Sequence, residues 1–304
     1  MWCRNCNIET KEATCPVCMQ KTEEDTPIEV MWCSECQIPI ISEVSAHREG
    51  TCPICGRKIK YISTDLRPVF PEERLLLEIL LIKQPNEFLN KSVWAANNRY
   101  YIDGKSIAVP NKLFQTANAD LIREEVEKHS LNESYKVFNN YSRKFIEANK
   151  ERLYAIKDEA YLFVRNAASK FDEEKIVISF SGGKDSTATA DVVVKALSNP
   201  NLVHIFGDTT LEFPTTIEYI KRFRKDHPQT IFEVARNDEQ NFYDVCEDIG
   251  PPARMMRWCC SMFKTGPITR VINGFYRNQQ ILTFYGIMFV GFILVKEKQE
   301  LYLN

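Results

Sequence analysis

Two groups of residues in this 304-residue chain could do chemistry by type and spacing. The first is cysteine: eight of the eleven stand before residue 56, in four C-x-x-C pairs. Cys3 and Cys6 with Cys15 and Cys18 make one set, and Cys33 and Cys36 with Cys52 and Cys55 make another. Each set opens on Met-Trp-Cys, so the segment reads as an internal duplication. A C-x-x-C turn puts two sulfurs on one side of a tight knuckle, and two facing knuckles supply the tetrahedral thiolate cage that Zn²⁺ favours. Two zinc ribbons are therefore expected, over residues 1–28 and 29–63, with one Zn²⁺ each. A redox pair calls for one C-x-x-C beside a βαβ unit, and disulfides call for an oxidising compartment; the duplicated spacing fits neither. The second set has the fifteen-residue gap typical of ribbons, with Gly56 after its last cysteine, whereas eight residues between the first pairs make a small module. Residues 1–63 hold seven Lys/Arg against nine Asp/Glu, which gives no basic stripe. The ribbons read as folding modules or as docking modules for a protein partner, and a nucleic-acid role is left undecided.

The second group is Ser181-Gly182-Gly183-Lys184-Asp185-Ser186, inside "ISFSGGKDSTATADVVVKAL". A β-branched run enters a glycine turn, and a helix follows. Such a turn exposes backbone N–H groups beside the positive end of the new helix, which suits phosphate or sulfate oxygens. Ser181 and Ser186 add hydroxyls. Asp185 cannot favour an anion directly, so it points to Mg²⁺ or to a structural turn. The spacing is not that of a Walker loop.

The elements that must position these groups follow from periodicity. Residues 64–150 form a small α+β connecting region: Pro71, Glu72 and Glu73 start a helix, Asp103-Gly104 turns a hairpin, and "NADLIREEVEKHS" is a charged amphipathic helix. Over 151–304, Leu153, Ile156, Ala160, Phe163, Val164, Ala167 and Phe171 recur at helical spacing, and "KIVISF", "NLVHIFGD", "TIFEVA" and "ILTFYG" are strand candidates. Ala188, Val192 and Ala196 are the expected inner face of the helix after the glycine turn. Strands alternating with helices imply an α/β fold, a mostly parallel sheet with helices on both faces, whose ligands bind at the carboxyl ends of the strands.

Composition sets outer bounds. With 44% hydrophobic residues and a net charge of −2, the chain is globular and does not coat nucleic acid over its whole surface. Met1 leads directly into cysteines and charges, so no secretory signal is expected; the apolar run Ile281 to Val295 is too short for a membrane span, and a cytoplasmic protein is the default. Between Ile249 and Val295 there is no Asp or Glu, yet Arg254, Arg257, Lys264, Arg270 and Arg277 are present. That stretch is either anion-facing or a solvated basic face.

SGGKDS, then "GDTTLEFPTT", then "RWCCSMFKTGPI" resembles the phosphoadenosine phosphosulfate (PAPS) reductase family, within the PP-loop, adenine nucleotide alpha hydrolase-like superfamily. The resemblance implies a Rossmann-like domain binding an adenine nucleotide, whether PAPS, adenylyl sulfate or ATP. By position it implies Ser181 to Ser186 at the phosphate or sulfate, Asp208 and Thr209 beside the nucleotide, and Lys264 as an anion contact, with Arg257 from the same basic stretch. Cys259 and Cys260 resemble either the adjacent cysteines that hold an iron–sulfur cluster in related enzymes or a buried thiol pair. Four thiolates are normally needed, and Cys246 offers at best a third. The chemistry implied is sulfonucleotide reduction, or ATP-dependent adenylation and sulfur transfer as in DNA phosphorothioation, with a non-catalytic nucleotide-binding docking protein as the alternative. The segment after Ile287 departs from the family pattern, so the domain reads as incomplete at its C-terminus and little PAPS reduction is expected.

Overall fold

The computed structural model describes all residues except 1, 4–7, 10–12, 17, 18, 23–27, 44–49, 64, 65, 97, 98, 278, 290, 291 and 295–304. The chain divides into two compact units, Met1–Tyr154 and Ala155–Asn304.

In the first unit, β1 (Trp2–Cys3) and β2 (Ile8–Glu9) pair antiparallel. β3 (Ile28–Cys33), β4 (Ile38–Glu43) and β5 (Lys60–Ser63) form an antiparallel sheet in the order β4-β3-β5, whose core includes Met31, Cys33, Ile38 and Cys52. Its β4 edge is met by a side chain: buried Asn149 accepts from the Ile41 N–H at 2.6 Å and donates to the Pro39 carbonyl at 3.1 Å. A second antiparallel sheet orders β6 (Arg67–Pro68), β7 (Val93–Ala96), β8 (Arg99–Ile102) and β9 (Lys105–Ala108) side by side, and α1 (Pro71–Leu80) starts on the expected proline and acidic pair. Asp103 and Gly104 have φ of 48° and 79°, the two left-handed residues that the β8–β9 hairpin requires. A Cβ on Gly104 would lie 2.3 Å from Trp32 Nε1, so the turn also needs glycine for space. Three helices follow, α2 (Asn111–Thr116), α3 (Ala119–Glu127), capped by Asn118, and α4 (Asn132–Ala148), and α5 (Lys150–Ala168) begins in this unit and continues into the second.

The second unit is the expected α/β fold. β10 (Ile176–Phe180), α6 (Lys184–Leu197), β11 (Val203–Asp208), α7 (Pro214–Asp226), β12 (Ile231–Arg236), α8 (Phe242–Ile249), α9 (Trp258–Cys260), α10 (Gly266–Phe275) and β13 (Leu282–Phe284) succeed one another. All four strand candidates join one parallel sheet, in the order β12-β11-β10-β13. Alternation along the strands sorts two cores. Ile176, Ile178 and Phe180 pack with Ala190 and Val193 of α6 and Phe223 of α7, while Val177, Val203 and Ile205 pack with Ile268 and Ile272 of α10. Helices therefore cover both faces, as hydrophobic strands in a parallel sheet demand.

Two helix faces differ from the sequence reading. The buried residues of α6 are Ser186, Thr189, Ala190, Val193 and Ala196; Ala188 is exposed and Val192 only half-buried, because polar Ser186 and Thr189 are turned inward by hydrogen bonds of their own. On α5, Val164 and Ala168 are buried, whereas Ile156 and Phe163 are 38% and 48% exposed. After β13, β14 (Ile287–Phe289) and β15 (Phe292–Leu294) pair with each other as a hairpin and do not extend the parallel sheet.

Candidate functional site

The strand order turns back between β10, which leads to β11 on one side, and β13 on the other. In open α/β sheets the crevice at such a reversal, beyond the carboxyl ends of the strands, is where ligands bind. Ser181 to Ser186 occupies that place. Gly182 has φ of 73°, and a Cβ there would meet Thr216 Cγ2 at 3.2 Å and Ile220 Cγ1 at 3.3 Å, so the turn needs glycine by conformation and by space. Gly183 is different: its φ is −82°, and its Cβ would meet only Ser181 Oγ at 3.5 Å.

The loop is fastened by Ser186, 5% exposed. Its Oγ accepts from the Ser181 N–H and the Ser181 hydroxyl, each at 3.1 Å, and donates to the Gly183 carbonyl at 3.0 Å. The Ser186 proton is thus committed within the loop. No side chain caps the N-terminus of α6, so its first-turn donors face the crevice with the helix dipole behind them. Lys184 Nζ lies 2.7 Å from Asp185 Oδ1, an exposed pair on the rim.

Gly286, immediately beyond β13, comes from no sequence argument above. A Cβ on it would lie 2.5 Å from Thr189 Oγ1 and 2.6 Å from the Asp185 carbonyl, so the chain after β13 runs directly against the first turns of α6. The only sequence signal is a glycine where a parallel strand ends.

At the end of β11, Asp208 pairs with Arg236 Nη1 at 3.6 Å and accepts from the Thr210 N–H at 2.8 Å, and the Thr209 hydroxyl donates to Glu212 Oε1 at 2.9 Å. Thr210 has φ of 64°, uncommon for a β-branched residue, and its Oγ1 accepts from the Phe242 N–H at 2.9 Å, joining this loop to the start of α8. Phe242 in turn packs with Trp258 and Phe263, ring centroids 5.1 and 5.8 Å away. That cluster seats α9 and the π-helical turn Ser261–Thr265, where a Cβ on Gly266 would fall 2.3 Å from the Ser261 carbonyl. Arg257 precedes α9 and Lys264 lies within this turn; both are exposed, and neither side chain has a hydrogen-bond or ion-pair partner among the described residues. Cys246, Cys259 and Cys260 are half-buried; Cys246 and Cys259 pack on the aromatic cluster, and the three thiols do not form a metal-binding group.

In the first unit the sulfurs of Cys33, Cys36, Cys52 and Cys55 all lie within 4.8 Å of one another. The Cys33–Cys55 and Cys36–Cys52 separations are 3.5 and 3.8 Å, close to the ~3.8 Å between sulfurs on a tetrahedral Zn²⁺ with Zn–S bonds of ~2.3 Å. Two matching knuckles build the group. The Gln37 N–H returns to the Cys33 carbonyl and the Gly56 N–H to the Cys52 carbonyl, at 2.9 and 2.8 Å, with φ of 58° and 70° at the returning residues. Burial pushes the Cys33 and Cys36 thiols up from their ordinary range, while a backbone N–H from Arg57 holds Cys55 down. Four thiolates this close together need a cation among them, so these residues fit a metal ion. Of the other expected set, Cys6 and Cys18 lie outside the described residues, as does the side chain of Cys3; Cys15 is buried. Its knuckle nonetheless repeats the pattern: the Met19 N–H returns to the Cys15 carbonyl at 2.9 Å, Met19 has φ of 60°, and Thr14 bridges Lys21 as Thr51 bridges Lys58.

The second unit is a doubly covered parallel α/β domain with a glycine turn at its topological reversal. Residues 175–287 match the phosphoadenosine phosphosulfate reductase domain family. Two uncharacterized proteins of Methanocaldococcus jannaschii are similar: MJ0066, 30% identical over 162 residues (51% of this chain, 32% of the relative), and MJ0973, 28% identical over 135 residues (44% and 32%). The chain thus spans about a third of the length of these relatives. The phosphate complex of PAPS reductase from Candida auris is 16% identical, with a TM-score of 0.32 over 41% of this chain and 59% of that one, a likeness too slight to carry weight. No helix among the described residues is long and apolar enough to cross a membrane.

Proposed function

We propose that the second unit binds an adenine nucleotide, with the phosphate or sulfate end of PAPS, adenylyl sulfate or ATP against Ser181 to Ser186. The uncapped N-terminus of α6 at the turn-back point of the sheet carries this reading. Gly182, Gly183 and the first-turn amides supply donors, and the exposed Ser181 side chain sits on the same rim. Asp208 and Thr209 would line the neighbouring strand end, and Arg257 and Lys264 would offset charge on a departing phosphate or sulfite. Asp185 can share Mg²⁺ with a polyphosphate. The match of residues 175–287 to the PAPS reductase domain family supports the nucleotide class.

Two chemistries suit a nucleotide held this way, and their products differ: adenylation releases pyrophosphate from ATP, and sulfonucleotide reduction releases sulfite from PAPS or adenylyl sulfate. Incubating the full chain with each nucleotide, and measuring binding and both products, tests the reading. Binding with neither product leaves a nucleotide-dependent docking protein, and binding of none of the three refutes the proposal. In the first unit we assign Zn²⁺ to Cys33, Cys36, Cys52 and Cys55, and a second Zn²⁺ to Cys3, Cys6, Cys15 and Cys18 on the strength of the repeated knuckle at Cys15. A cytoplasmic location accords with free thiols and structural zinc.

A further inference from the structure

The charge count over residues 1–63 hides a local asymmetry. From Gly50 to Ser63 there is no acidic residue, and three of that region's seven cations, Arg57, Lys58 and Lys60, stand within four positions. All three are exposed, and none has an acidic partner among the described residues. Arg57 and Lys58 lie between the Cys52–Cys55 knuckle and β5, Lys58 bridging Thr51, and Lys60 opens β5, an edge strand of the sheet in the order β4-β3-β5. Two apolar groups are exposed in the same run: Ile54, at the knuckle tip, is 46% exposed, and Tyr61 is 54% exposed.

We propose that this strip, Ile54 to Tyr61, docks single-stranded nucleic acid. Three exposed cations within four positions, without an acidic partner among the described residues, match a phosphate backbone, and the exposed tyrosine beside Lys60 offers a face on which a base stacks, the combination by which single strands are held without sequence readout. Lysine on an edge strand also discourages sheet-to-sheet pairing, but that role calls for neither the exposed tyrosine nor the knuckle isoleucine. The inference is independent of the nucleotide site.

The test is fluorescence anisotropy of the zinc-loaded full chain with labelled single-stranded RNA and DNA of roughly twelve nucleotides, run in parallel. Three phosphate contacts give a slope of about −2 in log K against log salt, a loss of about twenty-fold between roughly 50 and 200 mM. Saturable binding of either strand with that slope is expected. The combined Arg57→Ala, Lys58→Ala, Lys60→Ala variant should lose both the binding and the slope, and Tyr61→Ala should weaken binding severalfold without changing the slope; zinc content reports that each variant is folded. No saturable binding at the lower salt, an unchanged slope in the triple variant, or equal displacement by poly-glutamate, which would indicate an acidic protein ligand, overturns the proposal.

Discussion

Ser181 places two hydrogen bonds on one atom: its N–H and its hydroxyl both donate to Ser186 Oγ at 3.1 Å, and Ser186 passes its own proton to the Gly183 carbonyl at 3.0 Å. The loop is closed on itself through a buried hydroxyl, so its amides are aimed before any ligand arrives. Ser186→Ala should cost about 1–2 kcal/mol in urea unfolding, the usual loss when a buried partner is removed, and should also weaken nucleotide binding. Wild-type stability in this variant would show that the three bonds do not hold the loop.

Gly182→Ala places a side chain at φ of 73° against Thr216 and Ile220. A loss of about 1–3 kcal/mol follows in thermal or urea unfolding, without any ligand present. Gly183→Ala, at φ of −82° with only Ser181 Oγ nearby, should leave stability within about 0.5 kcal/mol of wild type. Equal effects at the two positions would contradict the loop geometry.

Metal analysis of anaerobically purified full chain should find two Zn²⁺ per chain, and one on Cys52→Ser, whose loss empties the Cys33 group. Zinc-free protein with an intact ribbon sheet by circular dichroism would contradict the assignment.

His204 is 1% exposed, its Nδ1 lies 2.9 Å from the Leu202 carbonyl, and its Nε2 has no partner. The neutral ring donates through Nδ1–H and buries a bare lone pair, and burial holds its pKa below the ordinary 6.5. The unfolded chain then takes up the proton first. This stability is present in full above about pH 6.5 and is lost as pH falls from there through the folded value. Urea unfolding at about pH 7.5 and about pH 5.5 should give a larger drop for wild type than for His204→Gln. Parallel drops would show that His204 is not the group responsible.

The fold of the second unit was legible because its strands are short β-branched runs that end at turns, a signal that survives without tertiary context. The inner face of α6 was not: apolar periodicity pointed to Ala188 and Val192, while the fold turned Ser186 and Thr189 inward by bonding their hydroxyls to the Gly183 and Asp185 carbonyls. Ser181 to Ser186 was visible as a glycine turn between strand and helix, yet the division of labour between Gly182 and Gly183 depends on a dihedral angle that composition does not carry. Gly286 and Thr210 escaped because each matters through a neighbour distant in sequence, Asp185 for one and Phe242 for the other. The cysteine spacing announced a four-sulfur group, whereas the cations beside it vanished in a regional charge count and emerged only with their exposure after the Cys52–Cys55 knuckle.

Isothermal calorimetry of ATP, adenylyl sulfate and PAPS against wild type and Gly183→Val tests the nucleotide site most directly. The Gly183 Cβ position has room within the protein, so a valine there obstructs only a ligand brought close to the loop backbone. The account predicts saturable binding of at least one nucleotide to wild type, and its loss in a Gly183→Val protein that keeps its zinc and its stability. Unchanged affinity in that variant, or no binding to wild type, would contradict it.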